Sequence, residues 1–223
     1  MPRGEFDRSG QRARTRTALL EAAARVYARR GFEGATLDEV AEEAGFTKGA
    51  VYDHFGSKEK LLFALLDEHL AAQIAEQIEL FDPAQSPAER PRAGSDRWMV
   101  ELEEDPDAFR LFVEAWVHGQ RDEEFRARVA AGVDQWRATF QSFGRARTEE
   151  LGAPPPDAML EQTSTAMVAL GIGLGIVKLA RPELVPAELL GVVSSVLLGA
   201  IESDPAAREL LAALSAGPAP RAA

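Results

Sequence analysis

Apolar residues recur at helical spacing through the first 80 positions, in blocks separated by glycines and small polar residues. Leu19, Ala22, Ala23, Val26 and Tyr27 share one face of a first helix. That helix stops at Gly31, where Phe32 is placed to fold back as a hydrophobic end contact. Leu37, Val40, Ala41 and Ala44 fall at i, i+3, i+4 and i+7, one stripe about two turns long. A short helix from Lys48 to Phe55 follows, and then a long one from Ser57 to about Leu80. Leu61, Leu62, Leu65, Ile74 and Ile78 mark the buried side of that fourth helix, which at about 35 Å is long enough to join two domains. Ahead of the first block, Met1 to Gln11 is polar and reads as a mobile arm.

The punctuation between these blocks carries as much information as the blocks. Thr36 and Glu39 form a capping box: the hydroxyl accepts from an orphan backbone N–H, and the glutamate reaches back to the cap. Gly45 sits where the second helix must stop, in a left-handed conformation that costs glycine nothing. Thr47 caps the third helix, and Gly56-Ser57 is a stop followed by a fresh cap. Helix, tight glycine turn and second helix together predict a helix-turn-helix.

Beyond Leu80 the pattern stays helical. Asp82 to Asp96, rich in proline and small polar residues, reads as a loop with at most one helical turn from Ser86. Helices follow over Arg97–Glu104, from Asp105-Pro106 to Gly119, and over Arg121–Leu151, which Gly152–Pro156 breaks. Asp157–Ala180 and Pro186–Ser203 are the last two substantial helices, before a short amphipathic turn and a disordered Gly-Pro-Ala tail. No alternation of period two appears. The fold class is therefore all-α: a helix-turn-helix head over residues 1–56, a connecting helix over 57–81 and a helical body over 82–223.

The stretch from Thr36 to Leu62 resembles the DNA-binding signature of the tetracycline-repressor (TetR) family of bacterial regulators. The resemblance rests on Thr36, Ala41, Ala44-Gly45, Thr47, Gly49, Tyr52, His54-Phe55 and Ser57-Lys58-Glu59. Phe46 stands where the family most often has valine, and Asp53 puts a carboxylate on the reading helix. The resemblance implies that Thr36 and Tyr52 contact the DNA backbone and that the helix from Thr47 to His54 enters the major groove. Lys48, Gly49 and Ala50 then lie at its leading end, where base edges are reached. Lys58, opening the next helix, is expected to meet phosphate. It further implies a homodimer on a palindromic duplex operator, and a small-molecule effector held in the C-terminal domain and acting through the connecting helix.

Charge changes the picture only when its distribution is read. The net charge of −11 argues against nucleic acid, yet residues 1–30 carry eight arginines against Glu5, Asp7 and Glu21. Residues 73–223 carry 14 basic and 24 acidic side chains. An acidic body behind a basic leading end repels DNA everywhere except at the reading end. Lys48, Lys58 and Lys60, three of the four lysines, lie in the motif.

The C-terminal half supplies the second clue. From Ala166 to Val177 the chain is apolar nearly all round, and Leu189 to Ile201 presents another broad apolar surface. Such helices need cover on both sides. Leu170, Leu174, Val192, Val196 and Gly199 are the candidate dimer seam. Gly171, Gly173 and Gly175 lack the strand and spacing of a dinucleotide loop and read as close helix contacts. Trp98, Phe109, Phe112, Trp116, His118, Trp136, Phe140 and Met167 are candidate lining for a largely apolar ligand pocket, with ordinary core as the alternative for most of them. Glu114, His118 and Asp122 share a helix face and could reach a metal, but solvated polar residues are the commoner reason for such a set, and no metal or cofactor is expected.

Other classes lack their chemistry. There is no cysteine, hence no disulfide, thiolate zinc site or thiol nucleophile. Neither H-E-x-x-H nor G-x-S-x-G occurs, and the histidines are His54, His69 and His118 alone, which argues against an enzyme. An architectural DNA-binding protein without effector is the other alternative, although such proteins are usually basic throughout. The polar N-terminus and an apolar run ending at Lys178, too short to span a bilayer, predict a soluble cytoplasmic protein with no membrane partner.

Overall fold

The computed structural model describes residues 3–80, 90–150 and 157–215. Ten α-helices follow one another: α1 (Arg3–Gly34), α2 (Leu37–Ala44), α3 (Lys48–Phe55), α4 (Lys58–Glu79), α5 (Arg90–Glu104), α6 (Pro106–Gly119), α7 (Glu123–Glu150), α8 (Asp157–Ala180), α9 (Leu189–Ser203) and α10 (Pro205–Ser215). The described residues include no strand, and the fold is all-α. Residues 81–89, the expected break at Gly152–Pro156 and the Gly-Pro-Ala tail lie outside the described part.

The chain divides into two compact units. The first, the head, takes residues 1–72 and 107–129; the second, the body, takes 73–106 and 130–223. The head thus contains α6 and the start of α7 in addition to the helix-turn-helix. Its core runs through Leu19, Leu20, Val26, Tyr27, Val40, Val51, Leu61 and Leu62, with Leu111, Ala115, Phe125 and Val129 arriving from the later segment. Burial pushes the Tyr27 hydroxyl above its ordinary pKa, and that hydroxyl donates to the Lys58 carbonyl at 3.2 Å.

The head's turns follow their caps. The Thr36 hydroxyl accepts from the Glu39 N–H at 3.2 Å while the Glu39 carboxylate accepts from the Thr36 N–H at 3.0 Å. Gly45 has a φ of 73°; its N–H reaches the Glu42 carbonyl and the Phe46 N–H reaches the Ala41 carbonyl, the paired bonds of a Schellman turn. Thr47 caps α3 by accepting from the Ala50 N–H.

Four features differ from the sequence expectation. Helix α1 begins at Arg3 rather than after a mobile arm, broken only at Gly31. Polarity there signals exposure, and extending a helix that is already nucleated is far easier than starting one. Helix α5 begins at Arg90 rather than Arg97. Its small residues are close-packing positions: Gln77 donates to the Gly94 carbonyl at 2.9 Å, and Ser95 is buried. The closing amphipathic segment is a full helix, α10, packed on α8 and α9. Finally, Met159–Ala180 and Pro182–Ile201 are each long and apolar enough, by length and composition, to cross a membrane. The expectation counted only the uninterrupted run to Lys178, whereas Thr163, Ser164 and Thr165 ahead of the run and Leu179 and Ala180 beyond the lysine lengthen the apolar stretch.

In the body α5 packs on α9, and α8 contacts α9 and α10. Met99, Val185 and Leu190 are buried together, with Trp98, Leu170 and Leu174 half-buried against them. Lys178 is the buried charge of this unit. Its ammonium donates to the Val185 carbonyl at 2.6 Å and pairs with Glu103 at 2.6 Å, so it clasps the α8–α9 connection to α5. A buried ammonium survives only with such partners.

Candidate nucleic-acid interface

Helix α3 is held by its inner face and free on its outer one. Val51 and Phe55 enter the head core, while Thr47, Lys48, Gly49, Tyr52 and Asp53 are exposed and Ala50 and His54 half-buried. Thr36 is exposed at the α2 cap. The structure therefore gathers Thr36, Thr47, Lys48, Gly49, Ala50, Tyr52 and His54 onto the helix-turn-helix, with small residues at the N-terminal end of α3. That end offers free backbone N–H groups and room for a duplex to approach.

Two of the three motif lysines are engaged. Lys48 donates to Asp38 at 2.9 Å, which holds its pKa above the usual lysine value, and lies 5.9 Å above the Tyr52 ring. Lys58 turns inward: its ammonium donates to the Glu33 carbonyl at 3.0 Å and sits 4.6 Å above the Phe32 ring.

Four of the arginines on α1 are also balanced within the head. Arg25 and Arg29 share Glu43 at 2.8 and 2.6 Å, and Arg30 pairs with Glu39 at 3.1 Å. Arg16 pairs with Glu68 and lies 5.7 Å from the Phe55 ring. Arg12 and Arg14 are exposed, and among the described residues no carboxylate pairs with either. Arg12 instead donates to the Asp53 carbonyl at 3.4 Å, at the C-terminal end of α3. His54 is beside it. Burial, then the Arg12 charge, push the imidazole below its ordinary pKa; Asp53 acts the other way and Arg16 adds to the lowering. The sequence reading passed over Arg12. Its signal was the four-residue spacing to Arg16, which puts both on one face of α1.

A second cluster behind α2 was also missed. Gly31, with a φ of 67°, leaves room for Glu114 of α6, whose carboxylate accepts from the Phe32 N–H at 2.6 Å. His118, one turn later, pairs with Glu33 at 2.5 Å and packs against the Phe32 and Phe125 rings, each at 5.1 Å. Asp122 caps α7 by accepting from the Phe125 N–H. The three residues read as a possible metal face thus have separate structural partners, and the described residues contain no three-residue cluster suited to a metal. A cavity of about 410 Å³ opens here, lined by Phe32, Glu33, Lys58, His118, Asp122 and Phe125 among others.

The candidate ligand residues separate. Phe109, Phe112, Trp116 and His118 belong to the head; Phe109 stacks on Phe112 at 5.8 Å, and Trp116 is exposed. Trp98, Trp136, Phe140 and Met167 belong to the body, where Trp136 stacks on Phe140 at 5.8 Å and Met167 is buried. Of the candidate seam residues, Leu170 and Leu174 pack inward on Met99, Val185 and Leu190, while Val192 and Val196 point out and Gly199 has open space beside it. The outward face of α8 is instead Ala166, Ala169, Gly173, Ile176 and Val177. A helix apolar all round gives no phase in sequence, which is why the inner and outer stripes were exchanged.

Residues 19–65 match the family of bacterial regulatory proteins described as the tetR family. The chain is 34% identical over 135 residues to the HTH-type transcriptional repressor AcnR of Corynebacterium efficiens, covering 55% of this chain and 68% of that relative. Among solved structures it is similar to a TetR-family transcriptional regulator from Rhodococcus sp., with a TM-score of 0.69 at 22% identity, over 86% of this chain and all of that one. It is also similar in fold to the transcriptional regulator FadR from Bacillus subtilis in complex with stearoyl-CoA, with a TM-score of 0.68 at 16% identity, over 82% and 96% of the two chains.

Proposed function

The chain belongs to the TetR family of bacterial transcriptional regulators and is no enzyme, and we propose that it is a cytoplasmic repressor acting as a homodimer on a palindromic operator. The observation that carries this reading is the exposed, small-residue leading end of α3 behind the Gly45 turn. Lys48, Gly49 and Ala50 reach base edges, where alanine can meet a thymine methyl. Thr36, Thr47, Tyr52 and His54 meet the backbone. Lys58 is the least committed of the proposed contacts, because its ammonium already holds the α1–α2 turn. Asp53, near the far end of α3, stays clear of the leading turn.

The dimer reading rests on the outward stripes of α8 and α9, where Ile176, Val177, Val192, Val193 and Val196 are exposed in the single chain. A second copy covering those stripes accounts for two helices apolar enough for a bilayer, one of which carries the buried Lys178 ammonium paired to the exposed Glu103 of α5. The effector is proposed as small and largely apolar, bound in the body among Trp98, Trp136, Phe140 and Met167. A fold relative solved with stearoyl-CoA supports that class of ligand.

Selection of bound duplexes from a random pool tests the whole proposal. Inverted half-sites about one helical turn or a small multiple apart are expected. Recovery of unpaired or unrelated sequences would remove the dimeric operator. A thermal-shift screen of acyl and aromatic compounds then separates a ligand-responsive repressor from a constitutive one.

A further inference from the structure

We infer that Arg12 of α1 is a DNA-contacting residue, gripping backbone phosphate beside the C-terminal end of α3, outside the positions read by the helix-turn-helix itself. This rests on α3 being the reading helix. Arg25, Arg29 and Arg30 are each held by a carboxylate of α2, and Arg16 by Glu68 of α4. A cation already paired must first exchange a surface ion pair, whereas an unpaired one gives up only water. Arg12 has no such partner among the described residues, and its one hydrogen bond, at 3.4 Å to the Asp53 carbonyl, is long.

Position supplies the second half. The carbonyl that Arg12 touches belongs to the last turn of α3, where unsatisfied carbonyls and the helix dipole attract cations. That contact places the guanidinium beside the last turn of α3, next to His54. When the leading end of a recognition helix lies in the major groove, its trailing end faces the phosphates bordering the groove. Arg12 has five donors in a planar fork, so it can keep the Asp53 carbonyl and still offer a phosphate two N–H groups. Asp53 alone would repel that strand; a guanidinium at its backbone carbonyl offsets that charge. The Asp53 carboxylate on the reading helix thus has a cation nearby, brought by a residue 41 positions away.

The test uses the full-length protein and a duplex recovered by the wild type. The salt dependence of operator binding is measured for wild type, Arg12→Ala, Arg12→Lys and Arg29→Ala. Arg12→Ala should lower the slope of log affinity against log salt by about 0.9 for each head, and Arg12→Lys should retain it. Arg29→Ala, whose guanidinium is held by Glu43, should leave the slope unchanged. An unaltered slope in Arg12→Ala would overturn the inference, as would an equal fall in Arg29→Ala, which would indicate a diffuse field without a contact. If the wild type recovers no duplex at all, the fault lies with the repressor reading and not with Arg12.

Discussion

The head and the body of this chain treat apolar surface in opposite ways. In the head, Leu19, Ala22, Ala23, Val40, Val51, Leu61 and Leu62 are wholly excluded from solvent, while Phe46, Trp116 and Val117 are large apolar residues it leaves exposed. In the body, α8 and α9 leave Ile176, Val177, Val192, Val193 and Val196 exposed, and Met99, Val185 and Leu190 form a small buried cluster. At about 25 cal/mol per Å² of apolar surface, such stripes represent several kcal/mol that one chain alone does not recover. The head buries a large core as a single copy, whereas under the proposed dimer the outward stripes of the body are covered by a partner. Dimerisation and operator reading should therefore be separable by mutation.

The largest expected effect tests the body. Val196 is 67% exposed, so Val196→Glu should fold normally as a monomer, with unchanged helix content. Buried twice in a two-fold seam, the carboxylate should cost the dimer about 3 kcal/mol or more, roughly 100-fold in affinity. Operator binding should collapse with it, although the head is untouched. Sedimentation as an intact dimer would move the seam off this face of α9, and the exposed stripes of the body would need another explanation.

The converse experiment damages the head alone. A Cβ at Gly45 meets no atom within 4 Å, so the cost of Gly45→Val is backbone strain at a φ of 73°, about 1–3 kcal/mol. Operator binding should be lost while the dimer persists in sedimentation. Full operator affinity would show that the turn tolerates rearrangement without moving α3.

These two positions also mark how far the sequence could be read. Gly45, Thr36 and Thr47 act on backbone groups within a few residues, so their chemistry is local and spacing reveals it. Helices α2 to α4 were legible for the same reason. What escaped was long-range. Glu114 caps a backbone N–H 82 residues earlier, and Arg12 meets a carbonyl 41 residues later; no local pattern encodes either partner. The inward turn of Leu170 and Leu174 escaped because a helix apolar on every side carries no phase. The helical start of α5 escaped because its residues, loop-like in composition, pack closely: Gln77 of α4 lies against Gly94, and Gly191 of α9 against Arg92 and Asp96.

A smaller effect sharpens the boundary of the head. Glu114→Ala strands the Phe32 N–H in a part-buried site and should cost the head about 1–2 kcal/mol. Glu114→Gln keeps an acceptor and should recover most of that loss. Urea unfolding followed at the head, by a probe on α2, should register both changes. Equal stability in all three proteins would mean that α6 merely lies against the turn and does not hold it.

The smallest effect is a pH dependence that should belong to the head alone, since His54, His69 and His118 all fall within it. His54 binds its proton less tightly in the fold than in the unfolded chain, because burial and then the charges of Arg12 and Arg16 oppose protonation more than Asp53 favours it. The unfolded chain, with an imidazole near 6.5, therefore takes up protons first. The sign follows from linkage: the stability His54 contributes is present above about pH 6.5 and is lost as pH falls through its lower folded value. His54→Gln should flatten that share of the head's stability profile between pH 8 and 5.5, while the dimer seam stays indifferent between pH 8 and 6. Operator affinity should run the other way. A phosphate beside the imidazole favours its charged form, so binding takes up a proton and tightens as pH falls, until the loss of fold overtakes it. In His54→Gln that tightening should disappear. An affinity profile in which wild type and His54→Gln fall together would place His54 away from phosphate and leave its lowered pKa a consequence of packing alone.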